Sequence, residues 1–205
     1  DTVISIQDCA FYYAKNLKEI TLNNELKNIG SSAFYGNENV TQIKIPDSVE
    51  SIGDYAFASC ISLKTITIGK GLQEIGSDCF YNCSSLESIV IPDNVTYIGG
   101  WAFEECTSLK SVKLSSNLSS IGDSCFEDCK ALTEITIPDS VEYIGDEAFM
   151  GCTSLKTVNL GKNVKYIYSD AFCNCAFDKI TLSYNIENIG SGAFGYIYNE
   201  ETWNR

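Results

Sequence analysis

Residues 49–71, VESIGDYAFASCISLKTITIGKG, decide the fold, because their pattern recurs along nearly the whole chain. The skeleton is V-x-x-I-G-x-x-A-F-x-x-C-x-x-L-x-x-I-x-I, and the next copy begins 23 residues later at Leu72. Phe11, Phe34, Phe57, Phe80, Phe103, Phe126, Phe149 and Phe172 are each 23 residues apart, and Phe194 follows after 22. Phe177 alone stands outside that column. A unit this short cannot bury its own apolar face, so the period predicts a solenoid whose turns stack into one core. Nine units start at Val3, Leu26, Val49, Leu72, Val95, Leu118, Val141, Val164 and Ile186. They predict a single domain over residues 1–205, with an incomplete last unit acting as C-terminal cap and Trp203 at a strand Ile position.

Within a unit, Leu63-Lys64-Thr65-Ile66-Thr67-Ile68 alternates with period two and is rich in Ile and Thr, which predicts a short half-buried strand. Successive units then place these strands about 4.8 Å apart in a parallel sheet. The V-x-x-I-G segment is extended too and predicts a second short strand or bridge. Phe and Cys three apart in A-F-x-x-C predict one face of a single helical turn opposite the sheet, for an α/β repeat. The Gly after the Ile, as in Gly53 and Gly76, is expected to serve a tight turn or a positive φ. A longer period overlies the first: Pro46, Pro92 and Pro138 are 46 apart, as are Cys79 and Cys125, which points to duplication of a two-unit block.

Twenty-seven acids against 14 bases give a formal charge of −13, and there is no histidine. Nucleic acid and anionic membranes need clustered Lys and Arg, so neither is an expected partner. Lack of His removes the commonest general acid/base and metal ligand near neutral pH, so no enzyme, cofactor or metal is expected. No apolar run approaches the ~20 residues of a membrane-spanning helix. The sequence opens at Asp1 without a signal peptide, and a mature or trimmed chain from a larger protein is expected.

The ten cysteines mostly follow the repeat. Cys60, Cys83, Cys106, Cys129, Cys152 and Cys175 form one column, and stacked Cβ atoms about 4.8 Å apart are too far for disulfides, which need ~3.8 Å. Buried reduced thiols acting as small apolar side chains are expected. The pairs Cys79–Cys83 and Cys125–Cys129 stay open as disulfide candidates.

Candidate ligand-binding residues lie at the outward strand positions, because they alternate with the core and vary between units. The set is Lys44, Thr65, Thr67, Val90, Lys113, Glu134, Thr136 and Asn159. An alternative set for stacking on sugar rings is Tyr97, Trp101, Tyr143 and Tyr166, with Tyr143 and Tyr166 on adjacent turns. Acids gather on the loop side at Glu104, Glu105, Asp123, Glu127, Asp128, Asp146 and Glu147, where a solvated face is expected over a calcium site. Val3, Ile4 and Ile6 begin the first unit with no turn before them, which makes end-to-end self-association a further expectation.

The pattern I-P-D-S-V-x-x-I-G-x-x-A-F-x-x-C-x-x-L-x-x-I-x-I resembles the BspA-like, or Treponema pallidum-type, leucine-rich repeat, over roughly residues 3 to 196. The resemblance implies a curved right-handed superhelix, with the parallel sheet concave and short helical or irregular segments opposite. It also implies extracellular or cell-surface proteins that adhere to protein ligands such as host extracellular matrix. The matching residues are core positions, so the resemblance assigns no binding residue. A non-enzymatic adhesion module is therefore the expected function, with a passive spacer or a glycan-binding module as alternatives.

Overall fold

Each unit folds as one turn of a parallel β-solenoid, and the computed structural model describes residues 2–177 and 179–195. The strands are β1 (Ser5–Ile6), β2 (Asn28–Ile29), β3 (Gln42–Lys44), β4 (Ser51–Ile52), β5 (Thr65–Thr67), β6 (Glu74–Ile75), β7 (Ser88–Val90), β8 (Tyr97–Ile98), β9 (Ser111–Lys113), β10 (Ser120–Ile121), β11 (Glu134–Thr136), β12 (Tyr143–Ile144), β13 (Thr157–Asn159), β14 (Tyr166–Ile167) and β15 (Asn188–Ile189). The three-residue strands come from L-x-x-I-x-I and the two-residue strands from V-x-x-I, as the alternation predicts. All recorded pairings are parallel, and register follows the repeat, as in Gln42↔Thr65, Ile43↔Ile66 and Lys44↔Thr67.

Two expectations need correction. The chain makes about eight turns. The ninth unit contributes β15 and Phe194 before the described residues end at 195, and Trp203 with the expected cap lies outside them. There is also no helix among the described residues. In A-F-x-x-C, Tyr55 and Ser59 take left-handed φ values of 57° and 56°. The N–H groups of Ala56, Ala58 and Cys60 close local turns onto Gly53, Tyr55 and Phe57. Those of Tyr55, Phe57 and Ser59 point sideways instead, to the carbonyls of Ser77, Cys79 and Tyr81 on the next turn. A helix keeps every interior N–H for itself, whereas a stacked turn must share them with its neighbour.

The repeated Gly after Ile is explained by close approach. Gly53 and Gly76 do not have positive φ, yet a Cβ on Gly53 would sit 2.6 Å from the backbone N of Ser31.

The interior is a set of stacked columns. Phe34, Phe57, Phe80, Phe103, Phe126, Phe149 and Phe172 are fully buried. Their rings lie nearly parallel, with centroids 5.3 Å apart for Phe80–Phe103 and for Phe103–Phe126. Phe11 on the first turn stacks on Phe34 at 5.0 Å but is 42% exposed. All ten cysteines are free thiols, including Cys79, Cys83, Cys125 and Cys129. The cysteine column does more than fill space. The Cys60, Cys83, Cys106, Cys129, Cys152 and Cys175 thiols each donate to the carbonyl of the Phe 26 residues earlier, at 3.2–3.3 Å. Asn37, in the same column, donates Nδ2 to the Phe11 carbonyl at 2.9 Å. Burial pushes the Cys60 and Cys106 thiols up to about 12, so they stay protonated donors.

Hydrogen bonding between turns follows the 46-residue block. Ile45, Ile91 and Ile137 donate their N–H groups to Thr67, Lys113 and Asn159, each at 2.8 Å. The equivalent amides of Ile68 and Leu114 make no such bond among the described residues. Between β5 and β7 the register holds at Thr65↔Ser88 only, and β9 is not bonded to β11. The two-residue ladder breaks at the same junctions, between β4 and β6 and between β8 and β10. Both ladders are thus weakened or interrupted at these two junctions, while the Phe-bearing arc stays bonded across them, as in Phe57 to Cys79 and Phe103 to Cys125.

Candidate functional site

The exposed face of the three-residue strands carries all eight outward residues expected there. Lys44, Thr65, Thr67, Val90, Lys113, Glu134, Thr136 and Asn159 are exposed, whereas the alternating Ile43, Ile66, Ile89 and Ile135 are buried. Register places Lys44 beside Thr67, Val90 beside Lys113 and Glu134 beside Thr157. Asn159 donates Nδ2 to the Thr136 hydroxyl at 3.2 Å. Four other lysines are tied across turns, as in Lys27–Glu50 at 2.6 Å and Lys162–Asp139 at 2.8 Å. Lys44 and Lys113 are among the lysines that make no ion pair among the described residues.

An open cleft of about 480 Å³ lies on this face, between Thr67 and Val90. Ile66, Ile68, Pro92 and Asn94 also line it. It falls where the β5–β7 ladder is reduced to one register pair, and Val90 there is 58% exposed. The cleft thus coincides with a shortened strand pairing, which periodicity alone does not reveal.

The second candidate set is divided by the structure. Tyr143 and Tyr166 stack at 5.2 Å with planes 9° apart, and the Tyr166 hydroxyl donates to Glu187 Oε2 at 2.7 Å. Tyr166 is therefore engaged on both its ring and its hydroxyl. Tyr97, Trp101 and Tyr143 instead rim a separate open cleft of about 420 Å³, together with Tyr168, which the sequence did not single out. Gly100, Ser120, Gly122, Gly145 and Asp123 also line it.

The acids of the loop side do not form a cation site; among the described residues no group of carboxylates is arranged to hold a metal. Several have a structural task that spacing did not show. Asp54, Asp123 and Asp146 each accept the backbone N–H of the residue 23 positions on, at 2.8–3.0 Å. Asp47, Asp93 and Asp139 do the same at the other corner. Partial burial, with Glu127 next, pushes Glu104 up to about 7, and burial raises Glu127 and Asp78 as well. No helix is long and apolar enough to cross a membrane among the described residues.

The comparisons with known proteins agree with this geometry. A leucine-rich repeat protein from Bacteroides ovatus superposes with a TM-score of 0.78 at 29% identity, covering 92% of this chain and 55% of the other. A leucine rich cell surface protein from Faecalibacterium prausnitzii gives 0.58 at 29% identity, over 98% of this chain and 59% of its own. The T. pallidum leucine-rich repeat protein gives 0.57 at 25% identity, over 92% and 73%. The chain thus spans a little over half the length of the first two. No curated protein matches it significantly. The model of the BspA type leucine rich repeat region matches residues 1–93 and 73–201, six copies in all. Stacked Phe and Cys columns, parallel ladders and that match together place the chain in the BspA-type leucine-rich repeat family.

Proposed function

We propose that this chain is a non-enzymatic protein-binding or adhesion module of a bacterial cell surface, with its ligand docking on the face of the three-residue strands. The observation that carries this reading is the row running from Lys44 through Thr67, Val90 and Lys113 to Thr136 and Asn159. It is exposed throughout, it steps at the turn spacing, and each member is anchored beside a core residue. A rigid, repetitive platform of this kind suits extended protein surfaces. Family membership and the likeness to a cell surface protein of F. prausnitzii support an extracellular location.

The test is capture of the folded chain on immobilised host extracellular-matrix proteins. Replacing Lys44, Lys113 and Thr136 together with Ala touches no core residue, so the solenoid is retained. Binding is expected to fall at least about tenfold. Binding that survives the triple change overturns the choice of face, and no binding to any matrix protein assigns the chain the role of a passive spacer.

A further inference from the structure

We infer that the cleft between Tyr97 and Tyr143 is a sandwich site for one pyranose of a β-linked, gluco-configured oligosaccharide. One column holds Tyr97, Ser120, Tyr143 and Tyr166 on four consecutive turns. Register sets Ser120 directly beside Tyr143 and Tyr143 directly beside Tyr166. The Tyr143–Tyr166 stack shows how rings stand in this column, face toward the neighbouring turn. One face of Tyr143 is thereby occupied by Tyr166, and its other face looks toward Tyr97 across Ser120. Both tyrosines are well exposed, at 45% for Tyr97 and 40% for Tyr143.

The width of the gap selects the ligand. Two turns separate Tyr97 from Tyr143. Strands β8 and β10 are not paired, but Phe103 and Phe126 stack at 5.3 Å across the same junction. With one strand spacing beyond it, the two walls stand about 10 Å apart. Carbon-to-carbon contacts of about 3.5–4.0 Å on each side leave room for a puckered ring and more than a flat one fills. Both walls are aromatic, so the ligand must present C–H groups on both faces. An all-equatorial pyranose does this, whereas an axial hydroxyl, as in galactose or mannose, places oxygen against one wall. The lining suits close approach, since Gly100 and Gly122 bring no side chain and Ser120 only a small one. At the rim, Trp101 is 44% exposed and Tyr168 42%, which extends the apolar walls. Asp123 accepts the Asp146 amide through Oδ1, and its second oxygen is available to ring hydroxyls. This site is separate from the three-residue strand face, so the inference does not depend on the proposed protein ligand.

The experiment is titration of the chain with cellohexaose and chitohexaose, followed by calorimetry and by saturation-transfer NMR. Mannohexaose serves as the comparison with an axial hydroxyl. Binding of at least one gluco-configured hexaose is expected, with mannohexaose at least about tenfold weaker, on the scale of one lost aromatic stack. Tyr97→Ala and Tyr143→Ala are each expected to lower affinity roughly tenfold. The decisive variant is Ser120→Tyr, which fills the slot with the residue that the column itself carries on both neighbouring turns. It is expected to fold normally and to abolish oligosaccharide binding while leaving capture by matrix proteins unchanged. Unaltered binding by Ser120→Tyr, equal binding of mannohexaose, or no binding of either gluco-configured hexaose at millimolar concentration each overturns the proposal.

Discussion

The Cys106 thiol donates to the Phe80 carbonyl at 3.3 Å, joining turns through residues 26 positions apart. The same carbonyl also accepts the Cys83 N–H at 3.1 Å, so the thiol supplies its second partner. Replacing Cys106 with Ala removes that donor and leaves a small cavity, and a loss of about 1–2 kcal/mol is expected. Cys106→Ser keeps a donor and is expected to recover part of the loss, read from urea midpoints. Thiol titration of the native protein is expected to modify Cys9 rapidly and the eight buried cysteines only on unfolding, because Cys9 alone is exposed and Cys175 is half-buried. A Cys106→Ala variant as stable as the parent would reduce the column to packing.

The Phe stack predicts a positional difference at constant chemistry. Phe103 is fully buried between Phe80 and Phe126, whereas Phe11 has a neighbour on one side and is 42% exposed. Phe103→Ala is expected to cost about 3–5 kcal/mol, and Phe11→Ala well under half of that. Equal costs measured by denaturant unfolding would contradict the stack.

Amide exchange tests the alternation in cross-turn bonding. The bonded amides of Ile45, Ile91 and Ile137 are expected to be protected at least about tenfold more than those of Ile68 and Leu114, for which no cross-turn acceptor appears among the described residues. Uniform protection along the column would mean that the ladder is continuous.

The acidic ridge predicts a pH dependence. Burial and then Glu127 raise Glu104 from its ordinary 4.5 to about 7. The folded state therefore binds more protons than the unfolded state between these values, so stability falls as pH rises through that window. Glu104→Gln is expected to raise the melting temperature at pH 8 and to leave it nearly unchanged at pH 4. A shift of equal size at both values would assign the effect to packing.

The repeat itself was legible because core positions obey strict spacing. Phe57, Cys60, Leu63, Ile66 and Ile68 announce which side chains face inward, and the 23-residue period announces that turns stack. The outward rows at Lys44, Thr67 and Val90 follow from the same alternation. The A-F-x-x-C arc was misread as helical because Phe and Cys three apart suit a helical face and a tight turn equally. What distinguishes them is the left-handed backbone at Tyr55 and Ser59, which aims alternate N–H groups at the next turn.

The sequence by itself determined the solenoid, its parallel register and the identity of its buried columns, since those depend on local period and apolar pattern. Only the tertiary structure decided how neighbouring turns meet. Hydrogen-bond partners 23 or 26 residues away turned Cys106 into a donor and Asp54 into an amide acceptor. Stacking likewise engaged Tyr166 with Tyr143 and Glu187, while Tyr97, Ser120 and Tyr143 line one open cleft. The physical reason is that a repeat specifies which way each side chain points. What that side chain then touches depends on the residue that occupies the same column one turn away.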